Sequence, residues 1–164
     1  MRKKTTTQIA KEPPISTYYF IRHAEKDRSD PLNKNPHLSE IGKQRAEYWS
    51  VIFKNVKFDA VYSTDFNRTK ETALPTASKN NVELTIYDPK TMYTSTFLKE
   101  TQGKTVLIVG HSNTTPRFVN SILGNKKYDD IDDSNNANLY IITVSGNHIS
   151  DILLKINLPN VSLM

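Results

Sequence analysis

Strand-like and helix-like segments alternate along most of this chain, and this alternation limits the folds that it can adopt. The four strand-like segments are rich in aromatic and β-branched residues, and each is followed by a segment with apolar residues at helical spacing. The strands are predicted at residues 17–22, 58–62, 82–87 and 105–109, and the helices at residues 39–53, 66–78, 92–100 and 115–123. Such a chain is expected to fold as helices packed against a mostly parallel sheet.

Two further strands complete the pattern. Residues 138–144 and 148–156 flank Ser145-Gly146-Asn147, a turn sequence that favours an antiparallel hairpin. The predicted fold is therefore a three-layer α/β/α sandwich, with a mostly parallel central sheet and an antiparallel hairpin at its C-terminal edge. Ser39 is the predicted N-cap of the first helix, and Thr115 followed by Pro116 is the predicted start of the fourth.

The length and charge of the chain indicate one domain and argue against nucleic acid as a partner. The predicted domain spans residues 17–158, between a flexible N-terminal arm at 1–16 and a tail at 159–164. Of the net charge of +5, the arm contributes +3, from four basic residues against Glu12, which leaves +2 for the rest of the chain. The basic balance therefore owes much to the arm and does not indicate nucleic-acid binding.

Two other properties narrow the class of protein. The chain has no cysteine, which excludes disulfides, thiolate metal sites and a cysteine nucleophile. No apolar run approaches the roughly 20 residues of a membrane-spanning helix. The basic start is not followed by the apolar region of a signal peptide, so we expect a cytoplasmic protein, or an exported periplasmic one whose signal was trimmed.

Polar residues that could bind a ligand or take part in a reaction stand at the ends of three of the predicted strands. Arg22-His23 ends the first strand, Ser63 to Arg68 follow the second, and Gly110-His111-Ser112-Asn113 follow the fourth. The carboxyl ends of parallel strands meet at one edge of a sheet, where α/β proteins bind ligands. Arginines and helix N-termini suit a phosphate dianion, and a histidine in line with phosphorus can form a covalent intermediate. The expected ligand is a phosphorylated small molecule or a phosphoprotein.

Two competing interpretations of these segments fit less well. The run from Gly110 to Thr114 could be a serine nucleophile elbow at Ser112, but that motif needs a glycine where Thr114 stands. The acidic run Asp129–Asp133 could bind a cation, but it lacks the spacing and the closing glutamate of a calcium loop. We therefore expect the acidic run to be a solvated loop.

The motifs also resemble a known family. Arg22-His23-Ala24-Glu25 resembles the R-H-G-E signature of the histidine phosphatase superfamily, also called phosphoglycerate mutase-like, in its short R-H-A-E form. Similar blocks follow in the family's order at Leu38–Gly42, Tyr62–Thr69 and Val109–Asn113. The chain lacks the insertions that cap the pocket in mutases and phytases. It therefore resembles most the small phosphohistidine phosphatases of this superfamily, and an open cleft is expected.

This resemblance implies a role for each matching residue. His23 would be the nucleophile that becomes phosphorylated, and His111 would hydrogen-bond the phosphoryl group. Arg22 and Arg68 would bind the phosphoryl oxygens. The residues implied to line the substrate pocket are Asn113, Ser63, Glu25 and Ser112. The family requires no metal or other cofactor, and no carboxylate–histidine spacing in this sequence matches a metal site.

The proton donor for the leaving group departs from the family pattern. In mutase-like members a glutamate after the third strand has this role, whereas this chain has Asp88 at the matching place. Asp88 is therefore the predicted general acid, with Glu25 and Glu83 as alternatives.

The predicted function is a metal-independent phosphatase that hydrolyses phosphomonoesters, or phosphohistidine, through a phosphohistidine intermediate on His23. Two alternatives remain open. One is a phosphoglycerate mutase-like phosphotransferase, which the short chain disfavours because transfer requires a lid that excludes water. The other is a catalytically weak module that binds phosphate or phosphoproteins on the same fold.

Overall fold

The computed structural model describes residues 8–160, which form six strands and four helices. The strands are β1 (Ile15–Arg22), β2 (Ala60–Ser63), β3 (Leu84–Ile86), β4 (Thr105–Gly110), β5 (Asn138–Ser145) and β6 (His148–Lys155). The helices are α1 (Glu40–Ile52), α2 (Asn67–Lys79), α3 (Ser95–Thr101) and α4 (Thr114–Leu123). Every predicted segment is present, with boundaries that move by a few residues at most.

All six strands form one sheet in the order β3-β2-β4-β1-β5-β6. β1 pairs with β4, β4 with β2, and β2 with β3, all in parallel. β5 runs antiparallel to β1, and β6 runs antiparallel to β5. The mostly parallel sheet with an antiparallel hairpin at one edge is thereby confirmed.

Successive side chains of the strands point to opposite faces of the sheet and build two cores. On one face, Tyr18 and Phe20 of β1 pack with Phe97 of α3 and Phe118 of α4. On the other face, the core contains Ile21, Trp49, Phe53, Ala73 and Ala77, so α1 and α2 cover this side. The helices thus form the two outer layers of a three-layer α/β/α sandwich, as the sequence predicts.

The two predicted helix starts have different outcomes. The Ser39 Oγ accepts a hydrogen bond from Gly42 N at 3.1 Å and caps α1, as predicted. The prediction of Thr115 as the cap of α4 is wrong. Asn113 caps this helix instead, because its amide oxygen accepts a hydrogen bond from Thr114 N at 2.8 Å, and Thr115 is buried within the first turn.

The start of α1 packs closely on the chain that follows β1. A Cβ added at Gly42 would lie 2.0 Å from the Glu25 carbonyl oxygen, so only glycine allows this approach. Ser39 N and Ser39 Oγ both donate to the same carbonyl, at 2.9 Å and 3.1 Å. These contacts fix the backbone immediately after His23.

The described residues extend beyond the sheet at both ends. β1 begins inside the predicted N-terminal arm, and residues 8–14 before it are exposed. The rest of that arm, residues 1–7, and the end of the tail, residues 161–164, lie outside the described residues. Within residues 8–160, the helices are too short to cross a membrane.

Candidate active site

Three strand ends bring the predicted site residues to one edge of the sheet. Arg22 ends β1 beside Gly110 at the end of β4, and Ser63 at the end of β2 lies beside Val109. His23 N donates to the Gly110 carbonyl at 2.8 Å, so the pairing of β1 and β4 continues one residue beyond the strand. As the topology predicts, residues far apart in sequence meet at the carboxyl ends of neighbouring parallel strands.

His23 is held as a neutral imidazole with one defined tautomer. Its side chain lies within a site that leaves the residue only 4% exposed, and its Nδ1 lies 2.7 Å from the Ala24 carbonyl oxygen. A carbonyl can only accept, so Nδ1 carries the hydrogen and Nε2 keeps the lone pair. Burial lowers the pKa of His23 to about 3, and the charges of Arg22 and Arg68 add to this effect. Nε2 is therefore unprotonated at neutral pH and keeps its lone pair.

His111 lies next to His23, with ring centroids 5.6 Å apart, and threonine hydroxyls orient it. The Thr69 hydroxyl donates to the Thr64 and Phe66 carbonyls, each at 3.0 Å, and accepts from Thr64 Oγ1 at 2.9 Å. The single hydroxyl hydrogen of Thr64 is thus committed to Thr69. His111 Nε2, which lies 2.9 Å from Thr64 Oγ1, must therefore be the donor in that contact.

The other nitrogen of His111 faces Arg68. Arg68 Nη2 lies 3.4 Å from His111 Nδ1, the position of the remaining lone pair. Burial lowers the pKa of His111 to about 4, and Arg68 and Arg22 lower it further by repulsion. A bound dianion would offset this repulsion, so ligand binding would favour a proton on Nδ1.

The two arginines present unused donors to the space beside the histidines. Arg22 Nε, Arg68 Nε and Arg68 Nη1 are buried and have no hydrogen-bond partner among the described residues. The Arg68 guanidinium also lies 4.6 Å from the centre of the Phe66 ring, a contact that fixes its plane. Buried guanidinium N–H groups are costly to leave unpaired, so this arrangement is suited to an anionic ligand.

The acidic loop binds the two terminal nitrogens of the Arg22 guanidinium. Its Nη1 donates to the carbonyls of Asp132, Asp133 and Asn135 at 3.1, 3.0 and 2.9 Å. Its Nη2 donates to Asp133 Oδ1 at 3.1 Å. These contacts use the far end of the guanidinium and leave the edge formed by Nε and the second Nη2 hydrogen for a ligand. The acidic run is a solvated loop, as predicted, because its four aspartates are exposed, and its backbone carbonyls in addition bind a buried arginine.

The rim of the site is cationic. Lys26 and Arg28 follow the His23 turn, and Asp133 Oδ2 lies 3.0 Å from Arg28 Nη2. Burial lowers the pKa of Lys26, and repulsion by Arg28 and Arg68 adds to this effect. Asp133 is the one carboxylate among the charged groups that perturb Lys26, which leaves an excess of positive charge at the mouth of the site.

The residues predicted to line the substrate pocket differ in where their polar atoms point. The Ser63 side chain is fully buried and its Oγ donates to the Thr64 carbonyl at 2.9 Å, so it turns away from the site. The Glu25 carboxylate accepts from Arg45 Nε at 2.9 Å on α1 and is engaged there. Ser112 is half-buried and its carbonyl accepts from Ile131 N at 2.8 Å, which anchors the acidic loop. Asn113, beside His111, caps α4.

The predicted general acid lies on an exposed turn. Asp88 follows β3, and its carboxylate accepts a hydrogen bond from Lys90 N at 2.8 Å. The next residues of this turn, Pro89 and Lys90, line a cavity together with Asn113 and Thr114 at the start of α4. Glu83, the alternative acid, is exposed before β3, at the opposite end of that strand from the site.

Thr64 and Asp133 are the functional candidates that the sequence reasoning missed. Thr64 had a signal, because it is a hydroxyl residue directly after β2 and four positions before Arg68. No sequence signal pointed to Asp133 beyond its charge, because this residue contacts Arg22 from an irregular loop that has neither helical nor strand-like spacing of apolar residues. No group of three or more histidine, cysteine or acidic side chains suited to a metal ion occurs in residues 8–160.

Comparison with known proteins agrees with the motifs. Residues 18–89 match the model of the histidine phosphatase superfamily, branch 1. The matched segment contains the Arg22-His23 motif and Arg68, whereas His111 lies beyond it. A comparison with curated proteins finds no match.

Solved structures share the fold at low sequence identity. The protein histidine phosphatase SixA, complexed with tungstate, is 13% identical, with a TM-score of 0.67 over 85% of this chain and 96% of that chain. The mycobacterial glucosyl-3-phosphoglycerate phosphatase is 12% identical, with a TM-score of 0.69 over 88% and 99%. The phosphoglycerate mutase from Bacillus anthracis str. Sterne is 14% identical, with a TM-score of 0.65 over 87% and 93%. The family model and the shared fold together confirm the resemblance inferred from the motifs.

Proposed function

We propose that this protein is a phosphatase that forms a phosphohistidine intermediate on His23 and needs no metal ion. The observation that carries the proposal is the tautomer of His23, whose Nδ1 hydrogen is bound by the Ala24 carbonyl at 2.7 Å. This contact leaves the Nε2 lone pair free for attack. Because His23 is buried beside two arginines, the imidazole stays unprotonated and nucleophilic at neutral pH.

The phosphoryl group would be held by the unused guanidinium donors. Arg22 offers Nε and one Nη2 hydrogen, and Arg68 offers Nε and Nη1. Nε and Nη2 of Arg22 lie on one edge of the guanidinium and form a parallel pair of N–H groups that matches two phosphate oxygens, whereas Nε and Nη1 of Arg68 lie on different edges and would donate singly. These donors stabilise the charge that the oxygens carry in the transition state. His111 contributes a donor once it is protonated on Nδ1, and Asn113 and Ser112 complete the polar wall beside it.

The reaction proceeds in two displacements. His23 Nε2 attacks phosphorus, and the bond from phosphorus to the leaving atom breaks with its electron pair on that atom. Water then attacks the phosphohistidine, and the N–P bond breaks with its electron pair returning to Nε2. The leaving atom takes up one proton in the first displacement, and the attacking water releases one to solvent in the second, so the products are the protonated leaving group, inorganic phosphate and neutral His23.

Protonation of the leaving group is proposed to be the weak part of this site. Asp88 is the proposed donor, but its side chain is exposed and already accepts a hydrogen bond from Lys90 N. Glu25 and Asp133 are engaged by arginines. Substrates whose leaving groups need little protonation are therefore favoured, which include aryl phosphates and the phosphoramidate bond of phosphohistidine.

The direct test is hydrolysis of an aryl phosphate in excess chelator by the wild type and by His23→Ala. We expect wild-type turnover to persist in chelator and the variant to lose about 10³-fold or more in kcat. His148→Ala, at an exposed position of the terminal hairpin, is the matched control and should retain activity. Turnover that survived His23→Ala would contradict the mechanism. Loss of turnover in chelator would contradict metal independence.

The same assay separates the alternative functions. Phosphate binding without turnover in the wild type would favour the binding module. Phosphoryl transfer to an added alcohol, in preference to water, would favour the phosphotransferase.

A further inference from the structure

The last strand of the sheet, β6, has one edge without a pairing partner. β6 is an edge strand that pairs along its whole length with β5, from His148 opposite Ser145 to Lys155 opposite Asn138. No other strand of residues 8–160 pairs with it. After β6 the chain turns toward α1, where Arg45 Nη1 donates to the Ile156 carbonyl at 3.2 Å, so the described C-terminal residues leave this edge open.

Both faces of β6 are also apolar and incompletely covered. Four large side chains, Ile149, Ile152, Leu153 and Leu154, are between 41% and 55% exposed. The strand contains no proline, and the register with β5 is regular, without a bulge. β6 thus lacks a proline and a bulge, two of the features by which monomeric proteins block strand pairing, and its charged residues are Asp151 and Lys155.

The hairpin geometry determines which backbone groups point outward. Gly146 and Asn147 form a two-residue turn, with Gly146 at φ 58°, so Ser145 and His148 form the hydrogen-bonded closing pair. Hydrogen-bonded pairs alternate along an antiparallel ladder. The backbone groups of Ile149, Asp151, Leu153 and Lys155 therefore face the free edge.

From this edge we propose that two copies of the chain associate through β6, antiparallel about a two-fold axis at Leu153, to form one continuous sheet. In this register Leu153 meets its own counterpart, and Ile152 meets Leu154 of the second copy. The proposal is independent of the proposed phosphatase activity, because β6 lies at the side of the sheet, with β5 between it and the site.

The charges on β6 favour this register over those in which the two-fold axis passes through another residue whose backbone faces the free edge. With the axis at Leu153, Asp151 of each copy, which already accepts hydrogen bonds from Lys127 Nζ at 2.7 Å and from the Tyr128 hydroxyl, lies opposite Lys155 of the other. An axis at Asp151 would place two aspartates together, and an axis at Lys155 would place two lysines together. Opposite charges directly across a sheet stabilise the pair, and like charges destabilise it. The Leu153 axis is the arrangement that pairs the charges and joins the apolar residues on both faces.

The oligomeric state tests the interface. Sedimentation analysis of the full chain over a range of concentrations should show a mass of two chains. Leu153→Lys places two lysines at the axis and should raise the dimer dissociation constant more than about tenfold. Ile41→Lys, at a 57% exposed position of α1, is the matched control and should leave the mass unchanged. A wild type that stays monomeric at its highest soluble concentration would overturn the proposal, as would a dimer that Leu153→Lys leaves intact.

A cross-linking experiment tests the register. The chain has no cysteine, so Leu153→Cys introduces a single thiol. Hydrogen-bonded antiparallel partners lie about 5.5 Å apart between Cα atoms, within the range that a disulfide spans. Oxidation should therefore link Leu153→Cys dimers, whereas Ile149→Cys, which would face Asn157 of the second copy, should remain unlinked. The reverse pattern, or no difference between the two variants, would overturn the register.

Discussion

The Arg22 guanidinium donates from Nη2 to the Asp133 carboxylate at 3.1 Å, although the two residues lie 111 positions apart. Arg22 is 3% exposed and the Asp133 side chain is 73% exposed, so the pair runs from the interior of the site to its rim. Three backbone carbonyls of the same loop hold Nη1. The acidic loop therefore fixes the guanidinium of Arg22, whose Nε edge is proposed to bind phosphate, and the Asp133 charge is a separate effect.

Asp133→Asn should strengthen the binding of anions. The three carbonyl contacts keep Arg22 in place, while the loss of an exposed negative charge removes repulsion toward a phosphate. Such a screened interaction is worth about 0.5 to 1 kcal/mol, so the inhibition constant of inorganic phosphate should fall about two- to fivefold. Competitive inhibition kinetics would measure this. Asp129→Asn makes the same charge change on an exposed residue near Lys126 and is the matched control. Weaker phosphate binding by Asp133→Asn would show that the carboxylate itself orients Arg22.

Thr64 should matter through the tautomer of His111. Thr64→Val removes the acceptor for His111 Nε2 and should lower kcat/KM by about tenfold, because one buried hydrogen bond to the imidazole is lost. Thr64→Ser keeps the hydroxyl and should restore most of the activity. The pH profile of kcat/KM should shift for Thr64→Val, an effect that a loss of stability alone would not produce. Equal losses for the valine and serine variants would contradict this role.

The meeting of the main site residues could be predicted from sequence because it follows from topology. Arg22, His23 and His111 each follow a parallel strand directly, and Arg68 lies in the first turn of the next helix, so any parallel sheet gathers them. Their roles in catalysis stay predictions.

Other features depend on information that is not local. The hydrogen bond between Thr64 and His111 depends on the direction of the Thr64 hydroxyl hydrogen. That hydrogen points to Thr69, because the Thr69 hydroxyl donates its own hydrogen to backbone carbonyls and can only accept from Thr64. The observed start of α4 differs from the predicted one because asparagine and threonine both suit the N-cap position, and Asn113 occupies it in place of Thr115. The position of Asp133 is set by a loop whose sequence resembles any solvated acidic segment.

The exposed position of Asp88 predicts a strong dependence of rate on the leaving group. Asp88→Asn should change hydrolysis of an aryl phosphate less than about twofold, and should slow an alkyl phosphate by about tenfold, since only the alkoxide needs a proton in the transition state. The ratio of the two kcat/KM values measures the effect. Asp65→Asn, on another exposed residue after a strand, is a suitable control. An equal slowing of both substrates by Asp88→Asn would contradict a role in leaving-group protonation.

The buried neutral histidines should make the fold sensitive to acid. Burial lowers the folded-state pKa of His23 from 6.5 to about 3, so below pH 6.5 the unfolded chain binds a proton that the folded chain does not. Stability then decreases as the pH falls toward the folded-state pKa, by up to about 1.4 kcal/mol per pH unit for one group. Between about pH 6.5 and pH 4, the wild type should therefore lose about 3 kcal/mol more than His23→Asn. Urea unfolding at both pH values measures this, and parallel losses in the two proteins would contradict it.

The most direct test of the proposed mechanism is chemical identification of the intermediate. The wild type is mixed with a phosphate-labelled aryl phosphate, quenched in alkali within one turnover, and digested for mass spectrometry. The proposed mechanism predicts a phosphoryl group on Nε2 of His23, formed and lost at rates compatible with kcat, and absent from His23→Ala. Turnover in which no phosphoenzyme forms, or in which the label is found on another residue, would contradict it.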